Sequence, residues 1–236
     1  MYSDVFCKVY NELGWNYYPE AFGEQLIDWM EEIGFFPRSS LDMGCGTGVL
    51  CEILHKQGIR ASGMDLSPGM IEIARASCPR IHYDVADMTT YRPAENVDLV
   101  TCTGDALNHI PEISDVEKIF CNVFTGLNPG GYYVFDILNP GEVSGSEPFE
   151  LDFSDELKVW FQMTLPEKNK VNLQIRVFEN GVLSFEENIR ETIHDAARIV
   201  RMLERAGFTQ VSCADRLLPR HNGGTTWFIT ARKPNT

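Results

Sequence analysis

The 236-residue chain lacks any apolar run near the roughly 20 residues that span a bilayer, so no membrane-crossing helix is expected. Its first residues, "MYSDVFCKVYNELGW", lack the basic start and apolar stretch of a secretory leader. No C-x-x-C pair occurs, and no histidine stands at metal-ligand spacing from a cysteine. The seven cysteines are odd in number and scattered, which argues against a disulfide framework and for a reducing, cytoplasmic setting. Basic residues are few, 20 against 34 acidic ones, for a formal charge of −14. Such a field repels phosphate backbones and anionic lipid, so nucleic acid and membrane surfaces are poor partners. A small or positively charged molecule fits better.

What remains is ordinary globular composition, 44% hydrophobic. From about position 39 to 138 short apolar runs alternate with helical patterns, the mark of βαβ units and a parallel sheet. The predicted strands are "SSLDM", "RASGMDL", "RIHYDVAD", "VDLVTCT" and "GYYVFDIL". One helix runs on from Val49 and stops before Gly58. A second opens on Ser67 as N-cap, with Pro68 at its first position. A third is predicted to begin at "SDVE", where Ser114 and Glu117 have capping-box spacing, and to end at "LNPGG". Residues 142–191 instead alternate as strands, with "ENG" as a hairpin turn. A helix ending at Gly207 and two strands, "TQVSCAD" and "TTWFITARK", close the chain.

The expected architecture is therefore α/β, doubly wound, with a mostly parallel seven-stranded, Rossmann-like sheet. It divides into an N-terminal helical cap at 1–36, an α/β domain at 37–141 and 192–236, and an antiparallel β insertion at 142–191. The insertion leaves after the fifth strand, where it would serve as a lid or as the contact of a homodimer.

The sharpest motif is "LDMGCGTG" at 41–48, on the turn from first strand to first helix. Gly44, Gly46 and Gly48 allow close backbone approach to a ligand beside the free N–H groups of a helix start. A dinucleotide fingerprint would need a sixth-position glycine where Val49 stands, which disfavours a nicotinamide oxidoreductase. Asp65 ends the second strand in "GMDLSPGM", where an acid can accept from both hydroxyls of a ribose. Asp87 ends the third in "VADMTTY". The fourth strand runs into "TGDALNHI", which crowds Asp105, Asn108 and His109 together.

The pattern D-x-G-x-G-x-G before a helix resembles that of class I S-adenosylmethionine-dependent methyltransferases. The similarity extends to the small-molecule group that includes glycine N-methyltransferase and the nucleotide-sugar amino N,N-dimethyltransferases. It covers roughly positions 10–138 and does not specify the insertion. The resemblance implies a cradle for S-adenosylmethionine, the product being S-adenosylhomocysteine. Asp42, Gly44, Cys45, Gly46 and Gly48 would form its loop, Asp65 would hold the ribose, and Leu66 and Met70 would flank the adenine. Asp87 and the Met88 backbone would meet the adenine edge, and Leu107 and Asn108 would pass beneath the methionine part. Tyr10 and one of Tyr17 or Tyr18, in the aromatic N-terminal segment, would face the sulfonium or its carboxylate.

The implied reaction moves a methyl group to a small-molecule acceptor, an amine slightly favoured over a hydroxyl. Asp105 and His109 are the candidates to take the acceptor's proton; for His109, helix capping or a bond to the cofactor carboxylate is the competing role. No metal is implied. Trp160, Arg176, Glu186 and Arg190 could line the insertion's side of the site. The alternatives are an RNA or protein methyltransferase, against which the acidic charge counts, and a cofactor-binding subunit without activity.

Overall fold

The computed structural model of the protein describes residues 2–154, 156–218 and 226–235. Eleven strands and six helices follow one another among these residues. The first strand, β1 (Ser39–Met43), is buried along its whole length, as a central parallel strand must be. It pairs in parallel with β2 (Arg60–Asp65) on one side and β4 (Val97–Cys102) on the other. Outside these lie β3 (His82–Val85) and β5 (Leu127–Leu138), then β11 (Thr226–Arg232) and β10 (Thr209–Ala214). The order β10-β11-β5-β4-β1-β2-β3 contains one reversed strand, β11, antiparallel to both its neighbours. The connections run opposite ways from β1 and β4, so a crevice opens at the carboxyl ends of those two strands, where open α/β sheets bind ligands.

The helices begin and end where local chemistry directs. Helix α3 (Val49–Lys56) starts from Gly48 in the left-handed region and stops ahead of Gly58 at φ 82°. Helix α4 (Pro68–Ser77) is capped by Ser67, whose hydroxyl accepts from the Met70 N–H. Helix α5 (Ile113–Gly126) departs from the sequence reading. Glu112 is its N-cap and its carbonyl accepts from Asp115 and Val116, so Ser114 lies inside the first turn and caps nothing. "LNPGG" does not lie beyond the helix as a loop but opens β5 as a bulged strand start, with Gly130 at φ 80° and a register shift opposite Val97 to Leu99. Helix α6 (Ala196–Ala206) ends at Gly207 as expected.

The insertion forms a second, four-stranded antiparallel sheet, β6 (Phe149–Asp152), β7 (Leu157–Glu167), β8 (Lys170–Glu179) and β9 (Val182–Thr192). Asn180 and Gly181, both at positive φ, make the two-residue hairpin between β8 and β9. Alternation puts Val159, Phe161, Ile175, Val177 and Ile189 on one face. That face buries against Phe6 of helix α1 (Asp4–Val9) and Leu13, forming a small core separate from those of the main sheet. The N-terminal cap and the insertion are thus one packed body. Helix α2 (Tyr17–Glu32) belongs instead to the main domain, where Phe22, Leu26, Trp29 and Met30 pack beside Leu50 and Leu54 of α3. Among the described residues, no helix is long and apolar enough to cross a membrane.

Candidate active site

A cavity of about 450 Å³ opens over the carboxyl ends of β1, β2 and β4, roofed by the N-terminal cap and by β9. Its volume lies in the range of sites that enclose a small molecule. The glycine loop forms its floor. Gly44, Gly46 and Gly48 all have left-handed φ, but each answers a different demand. A Cβ on Gly48 would stand 2.6 Å from the Tyr83 hydroxyl, so this glycine serves the packing of α3 on β3. A Cβ on Gly44 would meet Ala106 at 2.9 Å, so the fourth-strand loop leans on this residue. At Gly46 a Cβ would find no atom within 4 Å; the residue lines the cavity and its N–H donates to Asp65 at 3.0 Å.

Asp65 locks the crevice. One carboxylate oxygen accepts from Gly46 and the other from Ser67 at 2.8 Å. Each oxygen keeps a further lone pair for a ligand. Burial pushes this carboxyl up, and the backbone donors pull it back. Asp42 lies beneath, fully buried, accepting from the Thr101 hydroxyl at 2.7 Å, and burial raises it to about 7. The Cys45 thiol, beside Cys51 and buried, is pushed well up. Leu66 is 48% exposed beside Asp65. Asp87 uses one carboxylate oxygen on Thr89, backbone and hydroxyl, and lines the cavity with Met88.

From the N-terminal side Tyr2, Tyr10, Trp15 and Tyr18 line the same space. Tyr10 and Trp15 meet edge to face at 5.4 Å, and both rings pack on Phe6. Of the two tyrosines weighed from sequence, Tyr18 faces the cavity and Tyr17, 73% exposed, faces solvent.

Four residues assigned to the cradle from sequence do not line the cavity: Gly48, Met70, Leu107 and Asn108. Met70 and Leu107 are sealed in the interior, since each falls on the inward stripe of its turn of helix. Asn108 is also fully buried: its amide donates to the Thr192 carbonyl at 2.8 Å and accepts from the Leu138 N–H at 3.1 Å. It therefore ties the 3₁₀ turn Ala106–His109 to the two stems of the insertion. Trp160, Arg176 and Glu186 form an outward cluster, with the guanidinium 4.7 Å above the indole and 2.6 Å from the carboxylate. None of these three lines the cavity; Arg190 alone of that group does.

The fourth-strand loop holds its shape through a residue the sequence reading passed over. Asp136, the one acid in the apolar run of β5, accepts from the N–H groups of Gly104 and Asp105 at 2.8 and 3.1 Å. It is wholly buried and raised to about 6 by that burial. Asp105 sits there in the left-handed region at φ 51°. Its carboxyl is pushed well up by burial and by Glu191 and Asp136. His109 lines the cavity, its Nε2 3.4 Å from the Tyr2 hydroxyl, and burial depresses the ring to about 4. Glu191, from the end of β9, completes the group. Asp105, His109 and Glu191 bring reactive atoms within 4.8 Å of one another.

This strand order, glycine turn and ribose-type acid fit an adenosyl cofactor, and comparison with known proteins agrees. Residues 41–131 match the family model described as a methyltransferase domain. That stretch of the chain is similar to a methyltransferase domain. A protein of Geobacillus sp. (strain WCH70) named for a methyltransferase activity is 27% identical over 180 residues, covering 72% of this chain and 73% of that protein. The ubiquinone biosynthesis O-methyltransferase of Coxiella burnetii (strain Dugway 5J108-111) is 32% identical over 104 residues, covering 42% and 43%. A solved S-adenosylmethionine-bound amino pentose methyltransferase of Micromonospora echinaspora superposes with a TM-score of 0.78 at 20% identity, covering 99% of this chain and 98% of the other. S-adenosylmethionine is the ligand bound in the Micromonospora structure. The chain's own geometry fits it: a carboxylate with free lone pairs beside a Gly46 position that a side chain would fill.

Proposed function

We propose that the protein transfers a methyl group from S-adenosylmethionine to a small-molecule acceptor, with an amine favoured over a hydroxyl. One observation carries the reading: a roofed acidic cavity joins the cofactor cradle to the His109 ring, with Asp105 and Glu191 beside that ring and outside the lining. Asp42, Asp65, Asp87 and Glu187 line it, against Arg190 as the one lysine or arginine among the described lining residues. Such a field favours cationic ligands. A roof built from both the N-terminal cap and β9 suits an acceptor that can be enclosed, which counts against RNA or a protein chain. The Coxiella relative, named for O-methylation, supports the hydroxyl reading, and the Micromonospora enzyme, named for an amino sugar, supports the amine. Seven unpaired cysteines support a reducing compartment.

The cofactor supplies an electrophilic methyl carbon on a cationic sulfur. The chain's residues do the rest. The glycine loop, Asp65, Leu66, Asp87 and Met88 hold the nucleoside, and Tyr10 and Tyr18 offer ring faces to positive charge. The cap and β9 exclude water, and the acceptor nitrogen is aligned inside. A protonated amine cannot attack, so Asp105 and His109 take its proton. Because burial holds the Asp105 carboxyl above its usual range, its basic form appears only as pH rises. Turnover is therefore expected to climb with pH rather than fall.

A methyl-release assay against amines, amino sugars, quinone precursors and tRNA tests the reading, and amines are expected to turn over. With the amine found, Asp105→Asn is expected to lower kcat by about 10²-fold and to displace the pH profile. An unchanged rate and profile would end the catalytic role of Asp105 and leave the cofactor assignment standing.

A further inference from the structure

The last residues of β9 each meet the 106–109 turn. Arg190 and His109 line the same cavity. The Thr192 carbonyl accepts from Asn108. Between them Glu191 places a carboxylate oxygen 3.8 Å from His109 Nε2. The arrangement follows from strand alternation, since Glu191 shares the inward face with Phe185, Glu187 and Ile189. Its side chain is only 10% exposed. Among the described residues its carboxylate accepts no hydrogen bond. Buried carboxylates are ordinarily satisfied by donors, so what this one faces is informative.

We infer that Glu191, delivered by the insertion, orients and electrostatically backs the His109 imidazole and is a positioning residue for proton removal from the acceptor. The inference rests on the methyltransferase reading above. His109 Nε2 stands beside the Tyr2 hydroxyl, and in the tautomer protonated at Nδ1 it offers a lone pair. The acceptor's proton goes to that lone pair, and the Glu191 carboxylate balances the imidazolium formed; nothing is oxidised or reduced. The buried ring is a poor base, burial being the largest cause that holds it at about 4, and a charged carboxylate at 3.8 Å acts to raise it. Glu191 is held up at about 7 by burial and by Asp136, so its charge appears near neutral pH. The other groups facing the cluster are Tyr2 and Tyr10 of the N-terminal cap, Tyr18 of α2, Asp65 of β2, Asp105, and Asp136 of β5.

Histidine ring ¹⁵N NMR across about pH 4–9 tests this on the free protein, with His109→Asn identifying the resonances. In the wild type, the His109 nitrogens are expected to show an inflection near pH 7 without reaching imidazolium shifts. Glu191→Gln, nearly isosteric, is expected to erase it; Glu191→Asp is expected to restore it at a displaced pH. Glu186→Gln, on the outer face, is expected to leave it unchanged. The same His109 curve in wild type and Glu191→Gln overturns the inference. Calorimetry on the same samples separates the two readings. Normal S-adenosylmethionine binding with an unresponsive His109 removes the Glu191 role alone, whereas no binding by the wild type removes both.

Discussion

Asp65→Ala is expected to weaken S-adenosylmethionine binding by roughly 10² to 10³-fold, measured by calorimetry. Two effects add. The ribose loses its carboxylate acceptor, and hydrogen bonds to a charged group contribute about 1.5–3 kcal/mol each. The Gly46 and Ser67 N–H groups also lose the acceptor that ties the glycine loop to the start of α4. Asp65→Asn keeps one acceptor oxygen and is expected to fall between the two. Affinity for S-adenosylhomocysteine should drop in parallel, because both molecules carry the same ribose. Unchanged affinity in Asp65→Ala would mean that the cradle is misassigned.

Asn108→Ala is expected to destabilise the fold by about 2–4 kcal/mol, because it leaves a buried carbonyl and a buried N–H unpaired at once. The Thr192 carbonyl and the Leu138 N–H are the two groups, one at each stem of the insertion. Chemical denaturation should register the loss. Hydrogen exchange should localise it, with faster exchange near Leu138, Thr192 and the 106–109 turn and little change in β1 to β3. If Asn108 contacted cofactor instead, stability would hold and S-adenosylmethionine affinity would fall. The buried amide places the loss in the fold.

These two residues also show what the sequence made legible. Asp65 could be placed because its meaning is local: an acid closing a strand, followed by a Ser-Pro helix start, has few structural readings. The glycine loop and the α/β alternation were legible for the same reason, as was the Asn180–Gly181 hairpin. Asn108 was not, since a 3₁₀ turn after a strand does not announce which side chains point inward. Its partner Thr192 lies 84 positions away. Glu191 escaped likewise: the alternation of "SFEENIRET" marks two faces but does not say which one meets the cavity. Only the packing of Phe185 and Ile189 beside Phe6 decides that. Asp136 did carry a local signal, a lone acid within "YYVFDIL", and could have been singled out as a buried acid needing donors. The start of α5 was misread because N-cap preference favours Ser114, whereas the chain enters the helix two residues earlier at Glu112, whose side chain makes no capping bond.

The central claim is that the crevice over β1, β2 and β4 is an S-adenosylmethionine site. Calorimetric titration of the wild-type protein with S-adenosylmethionine, and separately with NADH, tests it most directly. The account predicts one-site binding of S-adenosylmethionine and S-adenosylhomocysteine and no binding of NADH. Binding of NADH without S-adenosylmethionine would contradict it.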